Sequence, residues 1–140
     1  MNIENELILT IKVNLGENIV VGNTNEGFFK VIPILGGTFF GKDIKGTIVE
    51  GGADWNIKYS DSVSFASAKY VLKTDDGVYI VIKNEGIINK KNNGQVIKTV
   101  PTFQVDKESK YSWLLDNVYV GSIDTTDDKY KININIYKLK

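Results

Sequence analysis

The sequence predicts an all-β chain folded as a closed, mostly antiparallel β-barrel, and three observations carry that prediction. Apolar and polar residues alternate at period two in short runs, the pattern of half-buried strands. The runs end at Gly, Asn and Asp, which supply tight-turn conformations. Two glycine pairs, Gly36-Gly37 and Gly51-Gly52, fall inside strand territory, where they mark bulges or sharp bends. Helical spacing of apolar residues is missing.

Taken in order, Leu7, Leu9, Ile11 and Val13 are expected on one face of a first strand, opposite Thr10, Lys12 and Asn14. Further runs are read at 28–34, 38–40, 44–49, 53–59, 63–73, 78–83, 96–105 and 111–120. Tyr130, Ile132, Ile134 and Ile136 form a last strand against Lys131, Asn133 and Asn135, for about ten strands in all. Asp75-Asp76-Gly77 and Asn92-Asn93-Gly94 read as hairpin turns, because such turns need positive φ at a central residue. Pro33 and Pro101 cannot donate to a ladder and belong at an edge, a strand start or a bulge. Segment 107–117 breaks the alternation and is the place for a helical turn. Strands of this number and length suit a sandwich or an up-and-down barrel; closure removes free edges and leaves an interior, so the barrel, lipocalin-like in general shape, is preferred.

The chain has 140 residues, 17 Lys and 17 Asp+Glu, so its formal charge is zero. A single domain, 1–140, of this size buries a core without a disulfide or metal. With no His and no Cys, the commonest neutral-pH base, thiolate nucleophiles and N/S metal sites are excluded. Proton transfer is left to carboxylate, lysine and tyrosine. No cofactor and no metal are expected. Zero net charge, absent arginine and scattered lysines argue against nucleic acid. No apolar run approaches the roughly 20 residues of a membrane-spanning helix, and the amino terminus lacks a signal-peptide pattern, so no membrane association and a cytoplasmic location are expected.

The stretch Gly36 to Asp43 approximates a phosphate loop but ends in Asp where Ser or Thr is required, and strand follows instead of helix; it is read as a β-bend. The Asp75-Asp76 pair and the cluster Asp124, Asp127 and Asp128 lack calcium-loop spacing and are read as turns. Gly51-Gly52-Ala53-Asp54-Trp55 stands out. Neighbouring strand residues face opposite sides, so either Asp54 looks inward and Trp55 outward, or the reverse, unless a bulge lets both converge. An inward Asp54 would have a raised pKa and serve as an acid–base group or hold a ligand amine or hydroxyl. Tyr70, Tyr79, Trp113 and Tyr119 are candidate cavity walls, Ala66 and Ala68 leave volume beside Tyr70, and Asn84 offers a recognition amide.

Several of these pieces occur together in one family. Ile32-Pro33-Ile34-Leu35-Gly36-Gly37-Thr38-Phe39-Phe40-Gly41, then Gly51-Gly52-Ala53-Asp54-Trp55, Ala68-Lys69-Tyr70, Thr74-Asp75-Asp76-Gly77, Asn84-Glu85-Gly86, Val100-Pro101-Thr102-Phe103, Tyr111-Ser112-Trp113-Leu114 and Val118-Tyr119-Val120-Gly121 follow in that order. In this the chain resembles the family called domain of unknown function 3237, also uncharacterised protein family 0311. The resemblance implies a closed antiparallel β-barrel with members in bacteria and fungi, and it implies no mechanism. Against the family pattern, Glu85 stands where an arginine follows the Asn, Glu50 replaces a proline, Ser67 an acid, Lys69 an arginine and Gln104 a glutamate. Lysine lacks the bidentate fork with which arginine holds a carboxylate. Asp54, Trp55, Tyr70, Asp75, Asp76 and Trp113 keep the pattern.

The expected function is binding of a small, partly apolar or aromatic ligand inside the barrel, with Asp54, Trp55, Tyr70, Asn84, Trp113 and Tyr119 as its contacts. The alternatives are a cofactor-independent isomerase, lyase or hydratase with Asp54 as acid–base group and Tyr70 or a lysine as partner, and an assembly protein that forms a homo-oligomer through its outer face.

Overall fold

The computed structural model describes residues 1–89 and 97–140. Its strands are β1 (Asn5–Leu15), β2 (Ile19–Thr24), β3 (Gly27–Phe40), β4 (Lys45–Lys58), β5 (Val63–Thr74), β6 (Tyr79–Asn89), β7 (Ile97–Val105), β8 (Tyr119–Thr125) and β9 (Lys131–Leu139), with a 3-10 helix at Ser112–Asp116. From β2 onward each strand pairs antiparallel with its successor, and β1 pairs with both β9 and β3. β1 and β3 to β9 therefore close an eight-stranded barrel, with β2 as an extra strand on β3.

Nine strands replace the expected ten: the glycine pairs bend strands without ending them, which merges four runs into two, and β2 adds a strand outside the expected runs. The runs at 28–34 and 38–40 are one strand, β3, with a register shift between Ile34 and Thr38. Those at 44–49 and 53–59 are likewise β4, shifted between Val49 and Ala53. The run at 111–120 splits into the 3-10 helix and the start of β8. β2 escaped notice because its Ile19-Val20-Val21 run does not alternate; all three side chains are exposed. The first strand also departs from strict alternation: a bulge between Leu7 and Leu9 turns Leu7 out to 51% exposure and buries Ile8.

β1 and β2 run along one edge of β3, with Leu15 opposite Ile34 and Ile19 opposite Val31. Pro33 falls in the break between them, where its missing N–H costs no ladder bond; its carbonyl accepts from Gly16 N–H at 2.8 Å. Pro101 lies in β7 beyond the short β7–β8 ladder, which pairs Ile97 to Thr99. The Asp75-Asp76-Gly77 hairpin forms as expected, with Gly77 at φ +90° donating to the Thr74 carbonyl. The Asn92-Asn93-Gly94 turn lies outside the described residues.

The barrel interior is filled unevenly. One end is solid: Leu9, Ile11, Phe39, Leu72, Ile80 and Ile136 are at most 1% exposed and pack with Leu114 of the 3-10 helix. That helix covers this end and is tied to the β5–β6 hairpin, where the Tyr111 hydroxyl donates to Asp76 at 2.6 Å and Lys110 pairs with Asp76 at 3.2 Å. Among the described residues no helix is long and apolar enough to cross a membrane. The other half of the barrel is hollow.

Candidate functional site

Side-chain size along β5 creates the hollow. Ala66 and Ala68 face inward, flanked on β4 by Asn56 and Asp54 and on β6 by Gly86 and Asn84. The register places Asp54, Ala68 and Asn84 in one cross-strand row, so the carboxylate and carboxamide strands lie two strand spacings, about 10 Å, apart with only a methyl between them. The resulting cavity measures about 240 Å³ and is walled mainly by aliphatic side chains, among them Val13, Ile32, Ile34, Ile132 and Ile134. It extends to Ser64, Ile88 and exposed Thr125 at the end away from the helical cap.

The polar groups of the cavity have distinct states. Ser67 N–H donates to Asp54 Oδ1 at 2.8 Å, and Asn56 Nδ2 lies 3.5 Å from Oδ2. Burial raises the Asp54 carboxyl above its ordinary 3.8, partly offset by the Ser67 N–H, the Asn56 amide and the Lys30 charge. Burial also pushes the Tyr70 phenol above its ordinary 10. Tyr70 and Asn84 are each 2% exposed, and among the described residues the Tyr70 hydroxyl, both polar atoms of the Asn84 amide and Thr99 Oγ1 have no hydrogen-bond partner. Buried polar groups are nearly always paired, which sets Tyr70 and Asn84, both lining the cavity, apart from the rest of its wall.

Asp54, Tyr70 and Asn84 thus meet in one cavity, and the other three expected contacts do not. Trp55 points out of the barrel, 45% exposed, because Asp54 takes the inward position beside it. Tyr119 does face inward, but at the capped end, edge-on to Phe103 with ring centroids 5.1 Å apart. Trp113 lies on the 3-10 helix and packs on the core from that same end. Sequence reading missed Lys30 and Asn56, which pair across β3 and β4 and line the cavity. Asn56 was within reach of the alternation rule, being two residues beyond Asp54; Lys30 needed the β3–β4 register. Ser67 and Glu85, two of the departures from the family pattern, bond to each other at 2.8 Å on the outer face.

A family profile for a protein of unknown function, DUF3237, matches residues 4–139. The chain belongs to this family. The DUF3237 chain is 29% identical to a UPF0311 protein of Rhodopseudomonas palustris over 147 residues, 95% of each chain. It is similar to the crystal structure of a beta-barrel like protein from Acinetobacter baumannii, with 30% identity, a TM-score of 0.87 and coverage of 100% of this chain and 98% of that one. The crystal structure of an enzyme from Penicillium herquei shares the fold at a TM-score of 0.81 and 17% identity, over 100% of this chain and 96% of that one. These likenesses agree with the DUF3237 barrel described above.

A carboxylate held above its ordinary pKa has a defined effect on stability. The folded chain keeps the Asp54 proton at pH values where the unfolded chain has lost it, so stability falls as pH rises from about 3.8 through the folded-state value. Asp54→Asn retains an oxygen for the Ser67 N–H and removes the buried charge. Its thermal midpoint at pH 7 is expected to exceed that of the parent, and the gain is expected to vanish below pH 3.8. An equal gain at both pH values would show that the carboxylate charge is not its source.

Proposed function

We propose that this barrel binds a small, largely apolar molecule in the cavity between Asp54, Tyr70 and Asn84. The observation that carries the reading is the coincidence of an aliphatic hollow with two lining residues, Tyr70 and Asn84, whose buried polar atoms are unpartnered among the described residues. Small-molecule sites have this composition: apolar walls with a few convergent polar groups. The volume suits a single ring, since a 150 Å³ apolar cavity accepts benzene. Native mass spectrometry of the protein as purified from cells, followed by NMR with toluene and indole as probes, tests the reading. Shifts confined to methyls of the cavity wall, such as Ala66, Ala68, Val13, Ile32, Ile34, Ile132 and Ile134, are expected; shifts away from that wall, or none, would overturn it.

A second reading, acid–base catalysis on the bound molecule, is favoured by one feature. The Asp54 carboxyl, with its raised pKa, lines the same hollow as Tyr70, and a carboxyl and a phenol on one cavity are a proton donor and acceptor pair of the kind general acid–base chemistry requires. Any turnover of the molecule retained from cells should then be lost in Asp54→Asn while binding persists. We further propose a cytoplasmic location and a homo-oligomer formed through the outer face, tested by cell fractionation and by light scattering.

A further inference from the structure

The cavity's inner wall carries more information than its size. Asn84 presents an amide N–H₂ and a carbonyl oxygen side by side, both buried and both unpartnered, and the Tyr70 hydroxyl on the neighbouring strand is unpartnered as well. On the β8 side Gly121 makes room for Thr99 beside Asn84: a β-carbon built there would meet the Thr99 Oγ1 at 2.4 Å and stand 3.8 Å from Asn84 Nδ2. A lone carboxamide is satisfied best by a group that accepts and donates at adjacent atoms, as when an asparagine pairs in bidentate fashion with adenine. A second acceptor site on the same ligand oxygen suits the Tyr70 O–H.

Charge narrows the class. The cation lining the cavity is Lys30, in the row of Asn56 and one row nearer the mouth than the Ile32–Asp54 row. Asp54 is the carboxyl beside Tyr70 and Asn84 in the cavity, and the Lys30 charge already acts on it, so among the described residues a carboxylate ligand there would meet a like charge and compete with Asp54 for one cation.

We infer that the cavity selects a neutral ligand whose head is a carboxamide or lactam, its carbonyl accepting from Asn84 Nδ2 and Tyr70 and its N–H donating to Asn84 Oδ1, on an apolar body no larger than one substituted ring. This rests on the cavity being a small-molecule site, as proposed above.

The test uses one skeleton with the head group changed: benzamide, acetophenone and cumene are near-isosteric, and benzoate adds a charge. Affinities are measured by NMR titration on the full chain after exhaustive dialysis. Benzamide is expected to bind about 5-fold tighter than acetophenone and about 10-fold tighter than cumene, the range of one to two neutral hydrogen bonds, with benzoate weakest. In Asn84→Leu, which replaces the amide by an apolar group of similar shape, the order is expected to invert in favour of cumene. In Tyr70→Phe benzamide weakens several-fold and cumene does not. Equal binding of benzamide and cumene, acetophenone equal to or above benzamide, benzoate tightest, or an unchanged order in Asn84→Leu would each overturn the inference while leaving the cavity a binding site. Failure of all four compounds to bind would overturn the binding reading itself.

Discussion

Replacing Ala68 by leucine is expected to weaken binding of cavity ligands by at least about 100-fold, equivalent to about 2.7 kcal/mol, while leaving the barrel as stable as before or more so. Ala68 is the midpoint of the Asp54–Ala68–Asn84 row, and its methyl is all that separates the two polar strands across the hollow. Three added carbons would occupy the space in which a ring must lie. Because the cavity wall is aliphatic, the new side chain gains apolar contacts and overlaps nothing that is already close-packed. Loss of function with unchanged or raised stability distinguishes a ligand cavity from a packing defect. Calorimetric titration with benzamide, beside a thermal melt, reads both quantities. Lys69→Ala, one residue along on the outer face, should leave binding unchanged. Undiminished affinity in Ala68→Leu would place the ligand elsewhere.

The second large effect is on closure of the barrel. Gly37 lies in β3 opposite Val13 of β1, at the pairing that joins the first strand to the rest. Its φ is +138°, and a β-carbon there would stand 2.0 Å from the Lys12 carbonyl oxygen and 3.0 Å from Ile48 Cδ1. Gly37→Ala therefore combines backbone strain with overlap against main chain, which cannot move without parting β1 from β3. A loss of about 3 kcal/mol or more is expected from the two terms together. Gly51→Ala is the matched control. Gly51 also has positive φ, +124°, but a β-carbon there meets nothing within 4 Å, so only strain remains, about 1 kcal/mol. Urea unfolding of both variants gives the difference. Similar losses in the two would mean that the seam yields and that overlap contributes little.

The two glycines also show what could be read from the sequence and what could not. A glycine pair inside alternating residues signals a bend, and both bends are present. Whether a bend ends a strand depends on whether neighbouring strands continue past it. That is a matter of pairing between segments far apart in the chain, and it joined 28–34 to 38–40 and 44–49 to 53–59, so ten runs became eight strands, with β2 as the ninth. β2 was invisible because it lies on the barrel's edge with no buried face to impose alternation.

For the site, local pattern carried two statements. Alternation put Asp54 and Trp55 on opposite sides unless a bulge intervened, and the two alanines of β5 implied spare volume beside Tyr70. The sequence by itself thus determined antiparallel strands, their bends, and the absence of histidine and cysteine chemistry, and it suited a sandwich as well as the barrel that formed. Period two tells which residues share a face and is silent on which face is inside. Only the tertiary structure decided that Asp54 is the inward one, that Lys30 and Asn56 join it, and that Trp113 and Tyr119 fill the capped end. Those outcomes follow from cross-strand register and from where the 3-10 helix docks, both set by contacts between residues distant in sequence, which no local pattern encodes.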